Sequence, residues 1–121
     1  MYRAREKQMS IYDYLPPYHG ELCNANRWVR LADAIDWDGF EKAPGGKVAL
    51  PARVALGCRI IQLHYAASDR EVVALVQESP YLQYFLGFES FTDAVPFSSR
   101  TVARFRARIP DKAVRPAVRL L

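Results

Sequence analysis

Long apolar runs are missing from this chain: nothing in its 121 residues approaches the roughly eighteen consecutive apolar side chains that a membrane-crossing helix needs. The N-terminal MYRAREKQMS also lacks the apolar core of a secretory leader. A cytoplasmic protein with no membrane partner is therefore expected. Cysteine is scarce, at Cys23 and Cys58 alone, which suits a reducing compartment and gives no disulfide framework. Histidine is as rare, at His19 and His64. His19 has no second ligand or base near it in sequence. A nucleophile built from Cys23 with His19 or His64 has residue types behind it and no geometry. No catalytic residue, metal or cofactor is expected. Alternation is missing too: no segment alternates apolar and polar positions for more than a few residues without Gly or Pro, which excludes a sheet. Acidic residues, finally, are almost absent from the end of the chain. Residues 1–95 carry 10 Lys and Arg against 12 Asp and Glu, whereas residues 96–121 carry 7 against 1. A basic segment beside a near-neutral body is the footprint of a nucleic-acid contact or, on the plainer reading, a solvated basic helix.

What is present is helical periodicity, strongest in LPARVALGCRIIQLHYAASDREVVALVQESP, residues 50–80. Val54, Cys58, Ile61 and Tyr65 form one apolar seam and Leu56, Ile60, Leu63 and Ala67 another, both at the spacing of a helix face. Two seams require two neighbours, and Arg59 with Gln62 is the one clearly polar wedge, so this helix belongs in the middle of a bundle. Cys58 on the seam reads as a structural thiol. The helix ends at Ala66–Ala67. Ser68-Asp69-Arg70-Glu71 then has the form of a capping box that opens a second helix, and Pro80 closes it. The predicted fold is all-α, a small bundle of about five helices with a helix-turn-helix-like centre.

On either side of this pair the elements are shorter. Residues 1–23 read as a mobile or extended arm, since Pro16-Pro17 forbids a helix through the Tyr-rich IYDYLPPYHG. From an N-cap at Asn24 or Asn26, Trp28, Leu31, Ala32 and Ile35 mark the buried face of a first helix, with Trp37 and Phe40 anchoring its end. Residues 42–47 are a loop by composition. Its Gly45-Gly46-Lys47 is not a phosphate loop: the first glycine of that motif is missing and Val48 stands where Ser or Thr is required. Ser79 and Pro80 begin a short helix through Leu86, with Gly87 as its stop. The loop 88–97 is pinned by Phe88, Phe91, Val95 and Phe97. Ser98 or Ser99 caps a last helix from Ser99 to Ile109, and residues 110–121 follow the 24–109 domain as a basic tail.

The last helix carries the candidate chemistry. Val102, Phe105 and Ile109 lie within about 60° of one another on a helical wheel, while Arg100, Arg104 and Arg108 form an i, i+4, i+8 row on the other side, with Arg106 at the flank. Like charges at this spacing repel by a few tenths of a kcal/mol per pair unless an anion lies across them. Arg100, Arg104, Arg106, Arg108 and Lys112 are accordingly the candidate DNA-binding residues. Asp69, Glu71 and Glu78 read as acids favoured by a helix start rather than as metal ligands.

Three blocks, ANRWVRLADAIDWDGF, the 50–88 stretch with its Ser68-Asp69-x-Glu71 turn and Ser79-Pro80-Tyr81-Leu82-Gln83-x-Phe85-x-Gly87 segment, and PFSSRTVARFRARI, together resemble the N-terminal domain of bacterial insertion-sequence transposases, the InsH-like family. The match runs from about Arg27 to Ile109. The resemblance implies a helical domain that binds duplex DNA at the terminal inverted repeats of a mobile element, ahead of an RNase H-like domain with a DDE metal site. Nothing in these 121 residues matches that catalytic domain, so no enzymatic activity is expected of them. The alternative is a protein-interaction module, a homodimerisation unit of the same transposase, resting on the aromatics of Tyr12–Tyr18 and Phe88–Phe97.

Overall fold

A computed structural model of the chain describes residues 22–37 and 52–121. The expected arm, apart from Leu22 and Cys23, and the expected 42–47 loop lie outside the described residues. Among the described residues are six helices and no strand: α1 Arg27–Ala34, α2 Ala52–Tyr65, α3 Asp69–Glu78, α4 Pro80–Phe85, α5 Ser99–Arg108 and α6 Asp111–Val118.

The central helix is α2, and every residue from Val54 to Gln62 is buried. The polar wedge is buried as well: Arg59 is 2% exposed and Gln62 6%. Helices α3, α5 and α6 all pack on α2. On another side α4 comes so close that a Cβ on Gly57 would stand 2.4 Å from Leu86 Cδ2. Glycine at this position is what allows the approach. Helix α1 packs on α4, placing Trp28 edge-on to Phe85 with centroids 4.9 Å apart. Trp37 also packs on Phe85, with centroids 5.4 Å apart, and donates its indole N–H to Ala32 O. Val29, outside the predicted face of α1, is buried against Leu22.

The helix ends follow local chemistry. Asn26, rather than Asn24, caps α1 by accepting from Trp28 N at 2.8 Å. The capping box is complete: Ser68 Oγ accepts from Glu71 N at 3.1 Å and Ser68 N donates to Glu71 Oε1 at 2.7 Å. Ser79 caps α4 with Pro80 at its start, and Ser98 caps α5. Two helices end in the same paired bonding pattern through different residues. After α4, Gly87 at φ 91 lets Phe88 N reach Gln83 O and Gly87 N reach Tyr84 O. After α2, Ala66 at φ 51 does the same, with Ala67 N on Gln62 O and Ala66 N on Leu63 O.

Two side chains tie α4 to its surroundings. Arg53 donates to Phe85 O at 2.9 Å and Tyr84 O at 3.1 Å, satisfying carbonyls that the helix end leaves open, and lies over the Trp37 ring at 4.7 Å. Gln83, fully buried, donates to Val76 O and Thr92 O and accepts from Thr92 N, so one amide fastens the loop after α4 to the end of α3. Of the four expected pins in that loop, Phe97 is buried and Phe88 packs on the core, while Phe91 and Val95 are exposed.

Within the segment 110–121, expected as a basic tail, Asp111–Val118 form the helix α6. It packs on α2 through buried Val114, with Ala117, Val118 and Leu121 against the core. The last helix of the basic region is therefore part of the bundle, held there by apolar burial on one face.

Candidate nucleic-acid interface

Helix α5 divides as the wheel requires. Val102 and Phe105 are buried, at 0% and 2% exposure, and dock α5 on α2 and α3. Arg100, Arg104, Arg106 and Arg108 are all exposed, and so is Lys112 at the start of α6. Arg106 lies beside the buried edge, about 160° around the wheel from Arg104, and so faces α3. There it forks onto Asp69, with Nε on Oδ1 at 3.1 Å and NH2 on Oδ2 at 2.9 Å. The sequence places it at the flank of the row but does not show this partner, which lies 37 positions earlier.

The pair belongs to a longer polar chain. Arg59 donates to Ile109 O at 2.8 Å, to Gln62 Oε1 at 2.6 Å and to Asp111 Oδ1, and Gln62 in turn donates to Asp69 Oδ1 at 2.8 Å. One carboxylate from α3, one from α6 and a carbonyl at the end of α5 thus converge on the wedge of α2. Burial of a guanidinium demands such partners, and Arg offers enough donors to hold three at once. The Arg106 fork and the Gln62 amide hold the Asp69 carboxyl below its usual range.

Neither Arg100 nor Arg104 has a hydrogen-bond or ion-pair partner among the described residues. Arg108 does interact within the fold. The single acid of residues 96–121, Asp111, is turned inward onto Arg59. Arg100, Arg104, Lys112, Arg115 and Arg119 have no ion-pair partner among the described residues. Two cations of that segment, Arg115 and Arg119, are absent from the predicted set. Their i, i+3, i+7 relation to Lys112 was the available signal, and the reading of the segment as a tail concealed it.

Cys58 is buried, which pushes its thiol far up from its ordinary pKa, and Cys23 is exposed on the surface. His64 packs edge-on against both Trp28 and Tyr65, with centroids at 5.5 and 4.7 Å; desolvation, then Arg27, lowers its pKa. Among the described residues no group of three His, Cys, Asp or Glu could hold a metal ion, and no helix is long and apolar enough to cross a membrane.

Residues 10–108 match the family described as Transposase domain (DUF772). The chain belongs to this family. A relative of this transposase-domain chain is the uncharacterized protein ORF8 in the nfe locus of Rhizobium meliloti, 37% identical over 87 residues. That alignment covers 67% of this chain and 42% of the relative, so the transposase-domain chain matches less than half the length of that protein. No solved structure matches it.

Proposed function

We propose that this transposase domain binds duplex DNA, recognising the terminal inverted repeats of a mobile element, and that α5 is the helix it lays against the DNA. In the parent protein this domain precedes the catalytic DDE domain, and a cytoplasmic location follows from the role. The observation that carries the reading is the Arg100–Arg104–Arg108 row, exposed on the face turned away from Val102 and Phe105, with two of its guanidiniums unpartnered among the described residues. Lys112 extends it past Pro110. Arg106 is committed to Asp69 and contributes by orienting α5 rather than by touching DNA. Arg100 is assigned to a base edge because reading helices often present their N-terminal residues to the groove, and Arg108 and Lys112 to phosphate.

Neighbouring substitutions separate binding from folding. Phe105→Ala removes a buried ring and lowers stability by roughly 3 kcal/mol or more. Arg104→Ala leaves the thermal melt almost unchanged, because an exposed guanidinium stabilises little. It weakens binding to a duplex bearing the element's end. If the contact is to phosphate, the slope of log affinity against log salt drops by about one for every sequence. If it is to a base, about 1–3 kcal/mol is lost at one base pair. A folded triple variant, Arg100→Ala with Arg104→Ala and Arg108→Ala, that binds with the wild-type salt slope makes the row a solvated face and refutes the assignment.

A further inference from the structure

We infer that α6 is a second DNA-contacting arm, its Lys112–Arg115–Arg119 stripe gripping the phosphate backbone beside the duplex face held by α5. The inference rests on the DNA-binding reading above and assigns to that interface a helix and two residues it did not include.

The stripe is built, not incidental. On a helical wheel Lys112, Arg115 and Arg119 fall within about 60° of one another, and Val114, Ala117, Val118 and Leu121 fall on the far side. The structure follows that division: all three cations are exposed, Val114 is buried, and the other three apolar residues pack on the core. Arg119 continues the helical backbone as the C-cap, at φ −66 and ψ −17, so it stays in register. From Lys112 to Arg119 the stripe spans about 10 Å along the helix axis, the axial rise of about three base pairs.

Two features argue against a merely solvated face. A solvated helix commonly sets an acid one turn before a cation, and Asp111 stands at that position relative to Arg115. Asp111 instead turns onto buried Arg59. None of the three stripe cations has an ion-pair partner among the described residues. The second feature is the corner between α5 and α6. Arg59 bonds both Ile109 O, at the cap of α5, and Asp111, the first residue of α6, while Val114 fastens α6 to α2. Arg59 thereby ties the end of α5 to the start of α6 and is the positioning residue of that corner. A rigid pair of cationic surfaces contacts an extended polyanion without ordering either arm on binding.

The test uses the full chain with Lys112→Gln, Arg115→Gln and Arg119→Gln combined, a random-sequence duplex and a duplex of the element's end, and fluorescence anisotropy across a salt series. All three side chains are exposed, so the circular dichroism melt should match wild type. Each phosphate left without its cation lowers the slope by about 0.9, so the variant's slope falls by roughly 2 to 3 with both duplexes and their affinity ratio is kept. A variant that melts like wild type and keeps the wild-type slope overturns the α6 arm together with the phosphate contact assigned to Lys112, and leaves the Arg100–Arg104–Arg108 row standing. A wild-type chain that binds neither duplex overturns the DNA-binding reading itself.

Discussion

Ala66 is the residue at which local expectation and structure part most clearly. The sequence shows a helix ending near Ala66–Ala67 and a capping box restarting the chain at Ser68, and both are present, because N-caps depend on side chains only three positions apart. It does not show how α2 ends. Glycine usually marks the left-handed residue that closes a helix, as Gly87 does after α4, whereas here alanine adopts φ 51. A left-handed conformation costs an L-residue about 1–2 kcal/mol, and glycine's greater freedom when unfolded offsets about 0.5–1 of that. Ala66→Gly is therefore expected to stabilise the domain by about 0.5–1 kcal/mol, read as a higher urea midpoint with an unchanged slope.

At the scale of elements, the helices with uninterrupted apolar periodicity were legible and α6 was not. Pro110 before it and Pro116 within it read as breakers, and its apolar face is only Val114, Ala117, Val118 and Leu121. The partners of Arg59 were equally invisible, since Ile109 and Asp111 lie 50 and 52 positions from it, and so was the Asp69–Arg106 fork, whose members are 37 positions apart. The Asp69–Arg106 fork joins α3 to α5, and it sets a pH dependence. Asp69 titrates below its usual range when folded, so the unfolded chain takes up its proton first as pH falls. The stabilisation is complete well above about pH 4, the ordinary aspartate pKa, and fades as pH drops through the folded value. Asp69→Asn should be less stable than wild type at neutral pH, with the gap closing in acid denaturation below about pH 4. A gap that stayed constant down to pH 2 would mean the fork contributes through geometry alone.

For the whole molecule, the all-helical bundle and the basic face were readable because one follows from periodicity and the other from charge counting. The geometry of the α5–α6 corner was not, since it depends on a buried arginine that pattern alone marks only as a wedge. The burial of α2 on every side has a consequence for time as well as for shape. Helices α3, α5 and α6, together with the close approach of α4, cover residues 54–62, so no opening of one element frees those amides to solvent. Their hydrogen exchange should proceed only by complete unfolding, with the same free energy that chemical denaturation yields. A ligand confined to the folded state deepens that free energy by RT ln(1 + [L]/Kd). The exchange of Ile60 and Ile61, buried in the core and not part of the arginine row, thus becomes a label-free gauge of how tightly the outer face holds DNA.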